Sequence, residues 1–290
     1  MNILLTGASG FIGRHLTTAL IAAGHTVRPA SRSQGVDFMT LHRPEDWRPH
    51  LPGIDAVINA AGIIGESGRQ RFTAVHHQAP AALFRACAAA GIRRVVQISA
   101  LGADDIAFSP FHLSKRAADE VLLGLDLDGF VLRPSLIYGP GGKSAARLMA
   151  LARLPWIPVL GDGRQDLQPV HISDVVATAL ACLEASPTRR PLDIVGPETF
   201  TFTEWLQRLR QAQGLPRGQL CPIPFAAAMA VAYLGRYFDP LLQPDILRML
   251  RQGYRADPAP LASFLGRPPL ASDIGLGLTD STVATSDFGS

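Results

Sequence analysis

The sequence predicts an α/β fold, a doubly wound parallel sheet with a smaller, mostly C-terminal substrate region beside it. Three observations carry this expectation. Short apolar runs at 3–5, 56–59, 94–99, 130–133 and 192–195 read as strands, and stretches of helical periodicity lie between them. A glycine-punctuated turn joins the first run to the first helical stretch. Strands alternating with helices in this way need crossover connections, which build parallel sheets.

Each element has its own reason. After the apolar run 3–5 come the turn "TGASGFIG" and then Ile12, Leu16 and Leu20, one helical turn apart. Gly24 stands where a helix C-cap belongs, and 25–30 reads as the second strand of a βαβ unit. The stretch "APAALFRACAAAG" is a crossover helix closing at Gly91. Thr201 and Glu204 have capping-box spacing before "WLQRLRQAQG", a helix with Trp205 and Leu209 on one face and Gly214 at its end. Between Gly214 and Pro269 prolines break the chain into short helices, as in a lid or substrate cap. The expected division is a dinucleotide-binding domain at 1–165 with a returning segment near 170–197, a substrate region at 198–269, and a disordered tail at 270–290.

Composition narrows the function classes. Of 290 residues 47% are hydrophobic and 18% charged, yet no run approaches the roughly 18 apolar residues of a membrane span. The stretch "PIPFAAAMAVAYLG" at 222–235 is expected as a buried or surface-docking helix, with peripheral membrane contact as the alternative. A net charge of +3 from dispersed arginines lacks the basic blocks of a nucleic-acid groove and favours small anionic ligands. Cys87, Cys182 and Cys221 are too far apart for a zinc site or a disulfide framework, so buried thiols and no metal are expected. The chain opens directly on a strand pattern with no export segment, which predicts the cytoplasm.

Gly7, Gly10 and Gly13 recur at three-residue intervals between strand and helix. Such glycines permit a tight turn, the approach of a pyrophosphate to the helix N-terminus, and close helix-on-strand packing. A carboxylate at the end of the second strand would accept a bond from a free ribose 2′-hydroxyl, but the chain has "VRPASRS" there. Ser31 and Arg32, with Arg28 nearby, attract a 2′-phosphate, favouring NADP and leaving NAD open; Asp37 falls beside the adenine.

Six further stretches, in order along the chain, carry a resemblance: Thr6-Gly7-Ala8-Ser9-Gly10-Phe11-Ile12-Gly13, Asn59-Ala60-Ala61-Gly62, "RRVVQISALGA", Ser114-Lys115, "LRPSLIYGPGG" and "GDGRQDLQPVHISDV". Over about its first two-thirds the chain resembles the extended and atypical short-chain dehydrogenase/reductases, which include NAD-dependent epimerase/dehydratase-like proteins. The wording "ISALGAD" is similar to the branch that holds the nucleotide-binding accessory subunit of respiratory complex I. The resemblance implies a cofactor lined by Thr6, Gly7, Ser9, Gly10, Phe11, Ile12, Gly13, Ala60, Ala61, Gly62, Ser99, Lys115, Pro134 and Ile137.

It also implies a general acid, a tyrosine four residues before a lysine, helped by a hydroxyl on the preceding strand. Residues four apart share a helix face, so the ammonium can lower the phenol's pKa and reach the nicotinamide ribose. Lys115 holds the lysine position on a helix capped by Ser109 and Pro110, but Phe111 occupies the tyrosine's place and has no proton to give. Ser99 is the remaining strand alcohol and points elsewhere, with Leu101 near the usual hydroxyl position. His112 is turned about 100° around the helix and is either a substitute acid or an exposed or capping histidine. Asp104 and Asp105 orient substrate or form a solvated loop; Arg133 and Arg164 bind an anion or pair with carboxylates. Tyr138 is expected to be structural, and His171 to anchor the chain before a helix capped by Ser173. Two readings result: an NADP(H)-binding oxidoreductase of atypical type, or a non-catalytic nucleotide-binding protein with a structural, assembly or sensing role.

Overall fold

The structure, a computed structural model, describes residues 1–186, 190–235 and 243–278. The first strand, β1 (Asn2–Thr6), leads through the glycine turn into α1 (Phe11–Ala22) and back to β2 (Thr26–Ala30). Then come α2 (Pro44–Trp47), β3 (Ala56–Asn59), a π-helical turn (Thr73–Gln78) running into α3 (Ala79–Ala89), β4 (Arg94–Ile98), α4 (Pro110–Gly124) and β5 (Asp128–Pro134). Beyond lie β6 (Ile137–Tyr138), α5 (Lys143–Arg153), β7 (Trp156–Leu160), β8 (Asp166–Leu167), β9 (Val170–His171), α6 (Ile172–Ala181) and β10 (Leu192–Ile194). The chain finishes with β11 (Phe200–Thr201), α7 (Phe202–Gln211), β12 (Gln219–Ile223), α8 (Phe225–Gly235), α9 (Pro244–Gln252), α10 (Ala259–Leu265) and α11 (Ser272–Gly275).

The main sheet has six strands in the order β10-β5-β4-β3-β1-β2, every neighbouring pair parallel. Apolar side chains alternate between two covered faces. Leu4, Val57, Val95 and Val131 pack with Leu83, Phe84 and Trp47, while Ile3, Leu5, Ile58, Val96 and Leu132 pack with Leu16, Leu20 and Val175. Strand order reverses between β1 and β3, and this switch point opens a crevice at their carboxyl ends. Just below it Thr6, Asn59 and Gln97 stand in register across three strands. Thr6 Oγ1 donates to Asn59 Oδ1, and Asn59 Nδ2 donates to Gln97 Oε1 at 2.6 Å.

The smaller region crosses the boundary expected at 165. Its core joins Tyr138, Ile157 and Val159 to Phe202, Trp205, Leu206 and Leu209, so α5 and β7 belong with α7. β7 pairs in parallel with β12 to form a small second sheet. Pro222 and Ile223, expected at the start of a helix, lie in β12, and α8 exposes most of its residues, only Ala232 being buried. The capping box is present: Glu204 N donates to Thr201 Oγ1 at 3.2 Å and Thr201 N donates to Glu204 Oε2 at 2.7 Å.

Three other expectations change, and Arg133 and Arg164 take one of the two roles left open for them. Residues 270–278, assigned to the tail, are ordered and tied to the body: Leu270 N donates to Asp174 Oδ2 at 2.7 Å, Arg267 pairs with Asp174 at 2.7 Å, and Ser272 N donates to Glu198. The remainder of that tail, 279–290, lies outside the described residues. Leu261 of α10 is buried in the face lined by α1 and α6. His171 itself caps α6, accepting from Ser173 N, because its ring Nδ1 reaches the first free N–H before the serine can. Cys221 is exposed on β12, whereas Cys87 and Cys182 are buried. Arg133 and Arg164 pair with carboxylates, Asp119 at 3.6 Å and Asp162 at 3.9 Å.

Candidate active site

The glycine turn forms a close-fitting cradle. Gly7 has φ +66°, and a Cβ there would lie 2.6 Å from Ala60 O; at Gly13 a Cβ would lie 2.1 Å from Gly7 O. Side chains are thus excluded where β1, the loop after β3 and α1 converge. Helix α1 starts at Gly10 with no side-chain cap and no acidic residue in its first turn, so its free N–H groups and dipole favour an anion. The donor set and the missing Cβ atoms fit a dinucleotide pyrophosphate.

Not every residue assigned to this cradle faces it. The Thr6 hydroxyl is engaged with Asn59, Ile12 packs into the sheet, and the Phe11 ring lies against Gly142 and edge-on to His15. Ser9 O accepts from Arg14 Nη1 at 2.9 Å, which fixes the turn. Pro134 O accepts from Leu101 N at 2.9 Å, and Ile137 pairs with Val170, so both support the crevice through the backbone. After β2, Ser31 Oγ donates to Gln34 Oε1 in a short 3-10 turn, and Arg32 is exposed on it. Arg28 is not available there, because its guanidinium donates to the carbonyls of His50 and Pro52. Asp37 Oδ1 accepts from Met39 N at 3.0 Å.

Across the crevice α4 carries the second half of the site. Ser109 caps it by accepting from His112 N at 3.2 Å, with Pro110 at its first position. Lys115 is buried and donates from Nζ to Ile98 O at 2.9 Å. Burial pushes its pKa down, opposed by Asp119 one turn on. Asp119 is pushed up by burial, opposed by the Ser99 hydroxyl that donates to it at 2.6 Å, by Arg133 and by Lys115. The Ser99 hydroxyl is thus engaged behind the lysine, which matches the expectation that it points elsewhere and not its place among the cofactor-lining residues.

Phe111 sits in an aromatic cluster, with ring centroids 5.9 Å from Phe72, 5.4 Å from His76 and 5.2 Å from His112. His112 is not exposed: its Nδ1 lies 3.0 Å from Ser109 Oγ and 3.4 Å from Tyr254 Oη. Burial drops its pKa to about 4, with Asp104 and the Leu101 backbone opposing, so it is neutral at pH 7. Asp105 pairs with Arg116 at 2.9 Å, and Arg116 also donates to the Asp104 carbonyl at 3.0 Å.

Two side chains at this site had no signal in the sequence. Tyr254, just beyond α9, lays its ring on Gly102 (φ +90°), where a Cβ would come within 2.4 Å of the ring. His76 is buried, stacked on Phe72 at 5.2 Å, and bridges two elements. Its Nε2 accepts from Ile63 N at 3.0 Å, so Nδ1 carries the proton and donates to Ser114 Oγ at 3.0 Å. Ser114 Oγ donates in turn to Phe111 O at 2.8 Å. The loop after β3 is thereby pinned to α4 next to Lys115. Burial, and then Lys115, push the His76 pKa well down.

Comparisons with known proteins agree with this geometry. The chain is 30% identical over 225 residues to a ceramide reductase of Caulobacter vibrioides, spanning 73% of this chain and 70% of that protein. It is 29% identical over 267 residues to the mitochondrial NADH dehydrogenase [ubiquinone] 1 alpha subcomplex subunit 9 of Arabidopsis thaliana, spanning 84% of this chain and 66% of that one. Among solved structures, MoeE5 in complex with UDP-glucuronic acid and NAD superposes with a TM-score of 0.71 at 23% identity, covering 96% of this chain and 97% of its own, which shows the fold. A family model matches residues 3–194, the span that builds the sheet, the cradle and the lysine helix: the chain belongs to the NAD dependent epimerase/dehydratase family.

Proposed function

We propose that the chain is a nicotinamide-nucleotide-dependent reductase that prefers NADP(H) and acts on a carbonyl of an apolar acceptor. The observation that carries this reading is the pairing of an uncapped, glycine-lined helix N-terminus with a buried lysine across one crevice. The NADP preference rests on the turn after β2, where exposed Arg32 stands on a stretch free of carboxylates. The likeness to a ceramide reductase supports an apolar acceptor.

The chemistry divides between cofactor and chain. When bound, the reduced nicotinamide supplies a hydride to the carbonyl carbon. Lys115 donates from Nζ to Ile98 O and would hold the ribose with its remaining donors. Phe111 fills the acid's place with an apolar wall. The proton for the resulting alkoxide comes from Tyr254, whose phenol is pushed up to about 12 by burial and Asp104 and is still a stronger acid than an aliphatic alcohol. His112, neutral and held by Ser109, positions that phenol. The second reading, a non-catalytic nucleotide-binding protein, is favoured by Phe111 and by the likeness to the NADH dehydrogenase subunit.

Fluorescence titration with NADPH and NADH, followed by NADPH oxidation across a panel of apolar ketones, tests the proposal. Expected are roughly tenfold tighter NADPH binding, lost in Arg32→Ala, and turnover that falls about 100-fold in Tyr254→Phe with cofactor affinity kept. Equal NADH affinity removes the NADP preference. Tight binding without turnover on any ketone favours the second reading.

A further inference from the structure

Helix α8 breaks the rule that a helix apolar on every side is buried. No residue from 218 to 235 is charged, yet Val231 is 60% and Leu234 73% exposed, and only Ala232 of the helix is buried. One side rests on α9, and the rest faces outward. Two arginines of α9 lie beside this surface. The Arg251 guanidinium lies 4.5 Å over the Phe225 ring. Arg248 pairs with Asp245 at 2.8 Å and reaches the Tyr233 hydroxyl at 3.4 Å. Arg251 has no carboxylate partner among the described residues.

We propose that α8 is a docking helix for the surface of a bilayer containing anionic phospholipid. Val231 and Leu234 enter the acyl boundary, Phe225 and Tyr233 lie at headgroup depth, and Arg251 meets the phosphates. An apolar protein partner would use the same side chains, but Arg251, held against the apolar helix with no carboxylate partner among the described residues, matches a phosphate rather than another apolar core.

The placement has a use. α9, on which α8 rests, is tied at both ends to loops that border the candidate site. Gln243 Nε2 donates to Glu66 O at 3.1 Å in the loop after β3, and Tyr254 packs on Gly102 and His112. Docking through α8 therefore brings the mouth of the site to the lipid, where an apolar acceptor is dissolved. This use rests on the reductase reading; the docking does not.

Sedimentation of the full chain with phosphatidylcholine vesicles, and with an equal mixture of phosphatidylcholine and phosphatidylglycerol, tests the docking without any turnover. The wild type is expected to sediment with the mixed vesicles. The double variant Val231→Asp/Leu234→Asp should bind them at least tenfold more weakly, and Arg251→Gln about fivefold more weakly. Both positions of the double variant are exposed, so unchanged NADPH titration and thermal melting show that it is folded. A wild type that stays in the supernatant with both vesicle types overturns the proposal, and so does a double variant that sediments equally well. A wild-type dimer that the double variant splits assigns the surface to a second copy and overturns it too. A chain that binds vesicles but reduces no ketone breaks the reductase reading and leaves the docking in place.

Discussion

Two successive turns of α4 face opposite kinds of surroundings. Around Lys115 every neighbour is fixed by a backbone or a charged partner: Ile98 O, Asp119, Ser99, and the His76 bridge to Ile63 and Ser114. One turn earlier Phe111 and His112 meet rings and one weakly held phenol, contributed by the far end of the chain. The lysine end is built from the sheet and its crossovers, which the family shares; the ring end is completed by the cap. Cofactor geometry is thus anchored in the sheet, while whatever reacts at the ring end depends on how the cap seats.

Breaking the anchored side should cost the most. Gly13→Val puts side-chain atoms into Gly7 O and should abolish NADPH binding and lower stability by about 3 kcal/mol or more, read by titration and by urea unfolding. His76→Leu leaves the Ile63 amide without an acceptor and the Ser114 hydroxyl without its donor, at about 2–3 kcal/mol. A His76→Leu chain as stable as wild type would show that the bridge is ornamental.

On the ring side the effect is pH-dependent. His112 has its folded pKa lowered to about 4 from 6.5, so the unfolded chain binds the extra proton first. Its contribution is intact above pH 6.5 and is lost as pH falls towards 4, about 2–3 kcal/mol by pH 4.5. His76 shifts in the same direction. His112→Phe should flatten this part of the acid limb in urea melts at pH 7 and pH 4.5; an unchanged slope assigns the limb to other groups. Far from both sides, Thr201→Ala removes one arm of the α7 capping box and should cost about 1 kcal/mol, without touching NADPH affinity.

Legibility followed the same divide. The strands, the glycine turn, Lys115 on a helix capped by Ser109, and the capping box at Thr201 are local patterns, and local patterns are written in adjacent residues. The helix entry and the missing phenol at Phe111 were readable for that reason. Tyr254 is 142 residues from His112, and His76 is 38 from Ser114; no periodicity links such pairs. The sequence leaves His112 open between a substitute acid and an exposed or capping histidine because Tyr254 helps to bury it, and the interleaving of α5 with α7 is hidden because β7 finds its partner in β12. The apolar stretch at 222–235 was visible, but its exposure is a property of the assembled surface.

The ties at Asp174 bear on the order in which the chain folds during synthesis. By residue 194 all six strands of the main sheet have been made. The α1–α6 face is nevertheless still open, because Leu261, Arg267 and Leu270 have yet to cover it and to neutralise a fully buried carboxylate. A nascent chain halted before residue 261 would therefore hold a complete sheet with one flank unsealed, a species that a trigger-type chaperone should recognise and that a few more residues of translation should release.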